Sequence, residues 1–309
     1  MSKHVRAAAL ALAVLAGGRG VADPAQESFR SPPTHGRLLA REAVAAPHLA
    51  AFDPAAATAA ATRGVMVRAA WSEPVASPLP DFSAYRDVPT KKARFFAFLL
   101  PLVEQENERI AAIRQRLRYI YDHVRWHREL QPDDVRWLVR VGEEYGVDDL
   151  TPDETDFWVT LLERVDTLPV DLVLVQAANE SAWGTSRFAR EGNNLFGQWC
   201  FRAGCGIVPA QRPDGATYEV ARYDSVTESI GSYMHNLNTG AAYQQLREIR
   251  ARMRHEGDEP SAGELAAGLS DYSERGLEYV TELRDMIRHN AELISELAGD
   301  EIGDQDEAG

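Results

Sequence analysis

The chain has 309 residues, 45% of them hydrophobic, and a formal net charge of −14. That length allows one large or two small domains, with a core that needs no metal or disulfide staples. The acidic balance argues against a nucleic-acid binder, whose affinity rests on Lys and Arg neutralising phosphates, and no apolar run reaches the roughly 18 residues that a transmembrane helix requires.

Lys3, His4 and Arg6 precede an apolar stretch from Ala7 to Gly18, and Gly20-Val21-Ala22 supplies small residues where a signal peptidase reads. The pattern predicts a signal peptide over residues 1–22, cleaved after Ala22, and a periplasmic or secreted protein; an uncleaved anchor is the alternative. Cleavage removes Lys3, Arg6 and Arg19 and no acid, so the charge becomes −14 − 3 = −17. Residues 23–80 are rich in Ala, Pro, Ser and Thr, with few larger apolar side chains to offset chain entropy, and read as a flexible linker.

The texture changes from Pro89. Phe95, Phe96, Leu99, Leu102, Val103, Ile110, Ile113, Leu117 and Ile120 recur at helical spacing and predict one long amphipathic helix, bent near Pro101. A second helix starts at Pro132 and stops between Gly142 and Gly146, completing a helical subdomain over residues 81–150. Thr151-Pro152-Asp153-Glu154 opens a second unit, residues 151–298, with an N-cap, a proline and early acids. Pro169 then opens an apolar helix, Val170–Trp183, closed by Gly184. Glycines and prolines punctuate residues 197–225, where short apolar or alternating runs such as Tyr218–Tyr223 predict a small β-lobe. Helices resume at Thr227–Leu237, Ala241–Arg254, Ser261–Leu269 and Glu274–Leu297. Residues 299–309 hold Asp300, Glu301, Asp304, Asp306 and Glu307 and read as an acidic, disordered tail. The fold class is therefore α+β, mainly α, with a helical subdomain ahead of a domain that carries the β-lobe.

The chemistry centres on Glu180. The segment from Leu172 is uncharged until this glutamate. A carboxylate at the end of an apolar helix is partly desolvated, which disfavours its charged form. Trp183 follows three residues on, on the same face if the helix continues. A carboxyl held protonated against an indole is the arrangement by which lysozyme makes a general acid. From spacing alone, an exposed glutamate at a helix end is the alternative. Gly192-Asn193-Asn194-Leu195-Phe196-Gly197 is a polar turn followed by an aromatic, able to offer amides and a ring to a sugar, or to be a turn and nothing more.

The run from Gln176 through Asn179-Glu180-Ser-Ala-Trp183-Gly184 to Asn193-Asn194-Leu-Phe196-Gly-Gln-Trp-Cys200 resembles the glucosaminidase domain of the Bax family, bacterial relatives of glycoside hydrolase family 73. The likeness continues through Cys205–Pro209, Tyr223–Ser225, Tyr233–Asn238 and Tyr272–Gly276, covering roughly residues 85–295. The resemblance implies a lysozyme-like fold and endo-β-N-acetylglucosaminidase action on the β-1,4 links of peptidoglycan glycan strands. It puts the general-acid role on Glu180 and sets Tyr272 and Tyr279 beside the scissile sugar. Tyr279 is expected to act with Glu180 in catalysis, and Asn179, Trp183, Asn193, Asn194, Phe196 and Tyr272 to bind substrate. No cofactor is implied, and the sequence names no protein partner.

One departure stands out. Many family-73 enzymes carry a second acid in the β-lobe, in a Thr-x-Glu-Tyr context. Here Pro209–Thr217 contains only Asp214, with Glu219 close by. Three readings follow. Asp214 or Glu219 activates the water, the substrate's own acetamido group does so, or the protein binds glycan and hydrolyses it poorly. A lytic transglycosylase, with a single glutamate acid, is the nearest catalytic rival. His123 and His127 have the i,i+4 spacing of zinc helices but lack the intervening glutamate of that motif, so no metal is expected. Cys200 and Cys205, the only cysteines, are expected to form a small-ring disulfide in an oxidising compartment.

Overall fold

The computed structural model describes residues 78–126, 129–147, 151–210, 212 and 215–306. The expected signal peptide (1–22), nearly all of the expected linker (23–80), His127, Asp214 and residues 307–309 lie outside them. The described residues belong to a single unit. A short 3-10 turn, Phe82–Ala84, leads into α1, Val88–Arg125. Asp87 caps α1 by accepting from the Thr90 amide at 2.8 Å, and Pro89 sits in its first turn, where a proline costs no hydrogen bond. Pro101 lies inside α1, which is assigned as one helix of 38 residues. The expected stripe is buried at Phe95, Phe96, Leu99, Val103, Ile110, Leu117 and Ile120.

Helices α2 (Pro132–Glu144) and α3 (Thr155–Arg164) follow, then α4 (Val170–Glu180). Seven consecutive residues of α4, Leu172 to Ala178, are buried, so this helix is covered on every side. It packs against α1 and, from the far end of the chain, α9. Leu99 of α1 and Leu161 of α3 share one core with Leu172 and Leu283. Residues of both stretches, 81–150 and 151–298, thus contribute to one hydrophobic core.

The short helix α5 (Arg187–Gly192) leads to a three-stranded antiparallel sheet of β1 (Trp199–Cys200), β2 (Gly206–Ile207) and β3 (Glu219–Ala221). The order is β1-β3-β2, with Cys200 opposite Glu219 and Ile207 opposite Val220. β3 is the middle strand, and all three of its residues are buried. Gly206 lies so near β3 that a Cβ there would fall 1.9 Å from the Val220 carbonyl oxygen.

Four helices close the molecule: α6 (Val226–Thr239), α7 (Gln244–Glu256), α8 (Ala262–Leu265, running into a 3-10 segment to Tyr272) and α9 (Leu277–Asp306). The architecture is mainly helical with one small sheet. α9 continues past Gly299 to Asp306, into the stretch that composition reads as a disordered tail. Leu293, Leu297 and Ala298 still pack on the core, and the helix carries on beyond them.

A buried ion network pins the back of the fold. Asp166, between α3 and α4, meets Arg254 at 3.1 Å, Arg114 at 3.4 Å and Arg250 at 3.8 Å. The Arg250 guanidinium also donates to the carbonyls of Asp166, Thr167 and Glu163. Burial pulls its pKa down to about 10.

Candidate active site

α4 ends at Glu180 because the next residues form a tight turn. Ser181 donates its hydroxyl to the Ala177 carbonyl at 2.6 Å and accepts from the Gly184 amide at 2.8 Å. Ala182, Trp183 and Gly184 all take left-handed backbone, with φ of 51°, 58° and 74°. Two of the three are not glycine, and such strain concentrates where a site over-determines its backbone. Gly184 is obligatory on a second ground: a Cβ there would lie 2.6 Å from a Phe82 ring carbon. Ser181 is thus part of the turn.

This stop changes the place of Trp183. The sequence spacing puts it on the Glu180 face, but the helix does not reach it. Its indole packs edge-on against Phe95 and Phe96 of α1, with ring centroids 5.7 and 5.2 Å away. The Lys92 ammonium lies over it, 4.9 Å from the ring centre. The rings gathered around Glu180 are tyrosines instead.

The Tyr279 hydroxyl, from α9, donates to Glu180 Oε1 at 2.8 Å. That hydroxyl accepts from Gln176 Nε2 at 3.1 Å. Gln176 Oε1 in turn accepts from the Tyr233 hydroxyl of α6. Gln176, Tyr233 and Tyr279 are all buried, so each polar atom needs this partner. Tyr272 stacks on Tyr279 with centroids 5.5 Å apart and donates to the Phe196 carbonyl at 2.7 Å. Phe196 stacks on Tyr233 at 3.9 Å. Three helices and one loop thereby converge on the end of α4.

Burial pushes the Glu180 carboxyl up to about 7. The Tyr279 bond works the other way, and the charges of Glu282 and Arg275 act on it in opposite directions, Glu282 upward. Asn179 adds a weaker hydrogen bond to the carboxylate. Burial also lifts the Tyr272 and Tyr279 hydroxyls well above the ordinary tyrosine range, so both stay neutral donors.

The turn after α5 is a brace. Asn193 ends α5 with φ of 51° and donates to the Tyr223 carbonyl at 3.0 Å. Asn194 is buried; its amide donates to the Gln198 and Ala221 carbonyls, each at 2.9 Å, while its oxygen accepts from the Phe196 and Gln198 amides. The Asn194 amide is thus taken up by the protein's own backbone, while Asn193 is only half-buried. Phe196, Tyr272 and Tyr279 are at most 7% exposed. Gly197, with φ of 64°, leaves the space beside Glu180 Oε2 open: a Cβ there would come to 4.0 Å.

In the β-lobe, the Glu219 carboxylate accepts from the Gly204 and Gly206 amides at 3.0 and 2.9 Å. These bonds hold its carboxyl below the ordinary glutamate range. The same loop is closed by a Cys200–Cys205 disulfide. Those two sulfurs and Glu219 form the one His/Cys/Asp/Glu group at metal-binding separations among the described residues. The sulfurs are bonded to each other, so they offer no thiolate ligands.

Gln176 and Tyr233 extend the hydrogen-bond chain behind Tyr279, a role that the sequence alone does not assign. A polar amide four residues before Glu180, in an otherwise apolar helix, was the available signal.

A model of the family described as mannosyl-glycoprotein endo-beta-N-acetylglucosaminidase matches residues 156–292, which include Glu180, Tyr272 and Tyr279. Protein bax of Escherichia coli (strain K12) is 34% identical over 219 residues, covering 71% of this chain and 77% of that protein. No solved structure matches. No helix among the described residues is long and apolar enough to cross a membrane.

Proposed function

The chain belongs to the Bax family of glucosaminidase-domain proteins, and on that premise we propose that it hydrolyses β-1,4 bonds of peptidoglycan after N-acetylglucosamine, with Glu180 as the general acid. The observation that carries this reading is the Glu180 carboxyl itself, closing an apolar helix, bonded to Tyr279 and raised to about 7. Glycosidic cleavage needs a proton delivered to the departing sugar oxygen, and an acid with that pKa is protonated in about half of the molecules at neutral pH and in more of them below it.

The tyrosine chain decides which oxygen holds it. Gln176 donates to Tyr279, so the Tyr279 proton points to Glu180 Oε1. The acid proton then sits on Oε2, the oxygen that faces Gly197, which has no side chain to cover it. In this reading Tyr279 contacts the acid, while Asn194, Phe196 and Tyr272 hold the loop that faces it. The described part of the chain is read as lysozyme-like in this sense, a helix-borne acid beside a small β-lobe. The disulfide supports export to an oxidising compartment, where the wall lies.

The test is mass spectrometry of purified peptidoglycan digested by the full chain and by Glu180→Gln. Reducing N-acetylglucosamine ends from the first and none from the second are expected. Anhydromuramyl ends would move the protein to lytic transglycosylases. Retained binding to the wall without release by either protein would leave a peptidoglycan-binding protein.

A further inference from the structure

Hydrolysis needs a second group to take a proton from water. Glu219 is committed to two backbone amides, and Asp214 lies outside the described residues. The helix that delivers Tyr279 offers another carboxylate. Glu282 follows Tyr279 by three residues on α9, so the two are neighbours on one helix surface. Tyr279 is turned inward to Glu180, whereas the Glu282 side chain keeps 38% of its exposure and lines a cavity of about 540 Å³. Lys92, Glu278, Asp285 and His289 share that cavity. Lys92 also covers Trp183, so the cavity adjoins the turn that ends α4. Arg275 donates to Glu282 at 2.6 Å and fixes where its carboxylate lies.

We propose that Glu282 is the second carboxylate of the site and activates the attacking water, with Arg275 as its positioning residue. The proposal rests on the glycosidase reading above and deepens it. In the step, the water oxygen bonds to the anomeric carbon as the bond from that carbon to the bridging oxygen breaks. The proton on Glu180 Oε2 goes to the departing oxygen, and one water proton goes to Glu282. The products are a reducing sugar and a free hydroxyl, and proton exchange through solvent returns Glu180 to its acid form. Attack on the face opposite the leaving oxygen inverts the anomeric centre. The charge of Glu282 also acts on Glu180 in the direction that favours the acid form, as a paired carboxylate should.

The test compares the full chain with Glu282→Gln and Glu282→Ala on soluble peptidoglycan fragments, with proton NMR of the newborn reducing end. The α-anomer should appear first. Both variants should lose about 10²–10⁴-fold in kcat with wall binding retained, and sodium formate should restore turnover to Glu282→Ala but not to Glu180→Gln. The isosteric Glu282→Gln, its fold checked by circular dichroism, separates lost chemistry from lost structure. Turnover within about threefold of the parent, with only the basic limb of the pH profile moved down, would make Glu282 a neighbour that tunes Glu180 and overturn the proposal. A β-anomer formed first would overturn it in favour of the substrate's acetamido group. If the parent chain releases no reducing ends, the glycosidase reading fails and this one with it; a fully active parent beside a fully active Glu282→Gln sinks this one alone.

Discussion

Glu180 and Glu219 are the same residue type, set in two regions that treat a carboxylate in opposite ways. Glu180 closes an apolar helix among buried tyrosines, with one hydroxyl donating to it, and is pushed up to about 7. Glu219 opens the middle strand of the β-lobe, takes two backbone amides, and is held below the ordinary range. Both accept hydrogen bonds; at Glu180 the loss of water outweighs them, whereas at Glu219 the two backbone amides outweigh the loss of water. The helical region thus favours the neutral form of its carboxyl, and the β-lobe holds a charged carboxylate that closes a loop.

The largest effect should come from replacing the acid. Glu180→Gln should lower turnover by about 10²–10⁴-fold, measured as reducing ends released per minute. Its effect on stability has a definite sign. The folded pKa is near 7 and the ordinary value is 4.5, so the folded chain keeps a proton that the unfolded chain releases. The stability from this group is complete below the lower value and lost as pH rises through the upper one. Thermal unfolding should therefore show Glu180→Gln more stable than the parent above pH 7 and equal to it in acid. Equal stability at every pH would remove the contrast between the two glutamates.

Next in size is Gly184→Ala. The added methyl meets Phe82 in a left-handed backbone, and we expect a loss of about 3 kcal/mol, read as roughly 10 °C in the unfolding midpoint. An unchanged midpoint would show that the turn ending α4 is looser than its geometry. Tyr279→Phe tests the donor count directly. Parent turnover should fall above pH 7, since it needs the protonated acid. Removing the hydroxyl takes away a bond that favours the charged form, so that limb should move to higher pH. A limb moved downward would reverse the assigned direction of the Tyr279 hydrogen bond.

The smallest effect on turnover belongs to Glu219→Gln. Activity should stay within about threefold of the parent, while amide exchange at Gly204 and Gly206 quickens. In the parent the same amides should loosen as pH falls through the depressed Glu219 pKa, because stability from a lowered carboxylate is present above the unfolded value and lost in acid. A collapse of turnover in Glu219→Gln would return the water-activating role to the β-lobe.

Much of the fold was legible from local signals. The stripe Phe95–Ile120 gave α1, and the Pro169 and Gly184 punctuation framed α4 to within three residues. Caps and prolines act within a turn of where they stand, so one sequence suffices to read them. Alternation failed at β3, since the Glu219 side chain is buried by its bonds to the Gly204 and Gly206 amides, alongside Val220 and Ala221. Trp183 was misplaced because i,i+3 reasoning holds only while the helix continues, and three left-handed residues end it first. The aromatic block was visible, but its contacts were not: the Phe196 ring stacks on Tyr233 and its carbonyl accepts from Tyr272, while Asn194 ties the loop to β3.

By itself the sequence determined the helical elements, the glutamate at the end of the apolar helix and the cysteine pair, all set by periodicity and neighbours a few residues apart. Only the tertiary structure decided what surrounds that glutamate. Tyr279 lies 99 residues beyond Glu180 and Tyr233 lies 57 beyond Gln176, and each reaches its partner through the packing of α9 and α6 on the core. Desolvation is a property of that assembled neighbourhood rather than of the helix, which is why the spacing could mark the carboxyl and the fold alone could make it an acid.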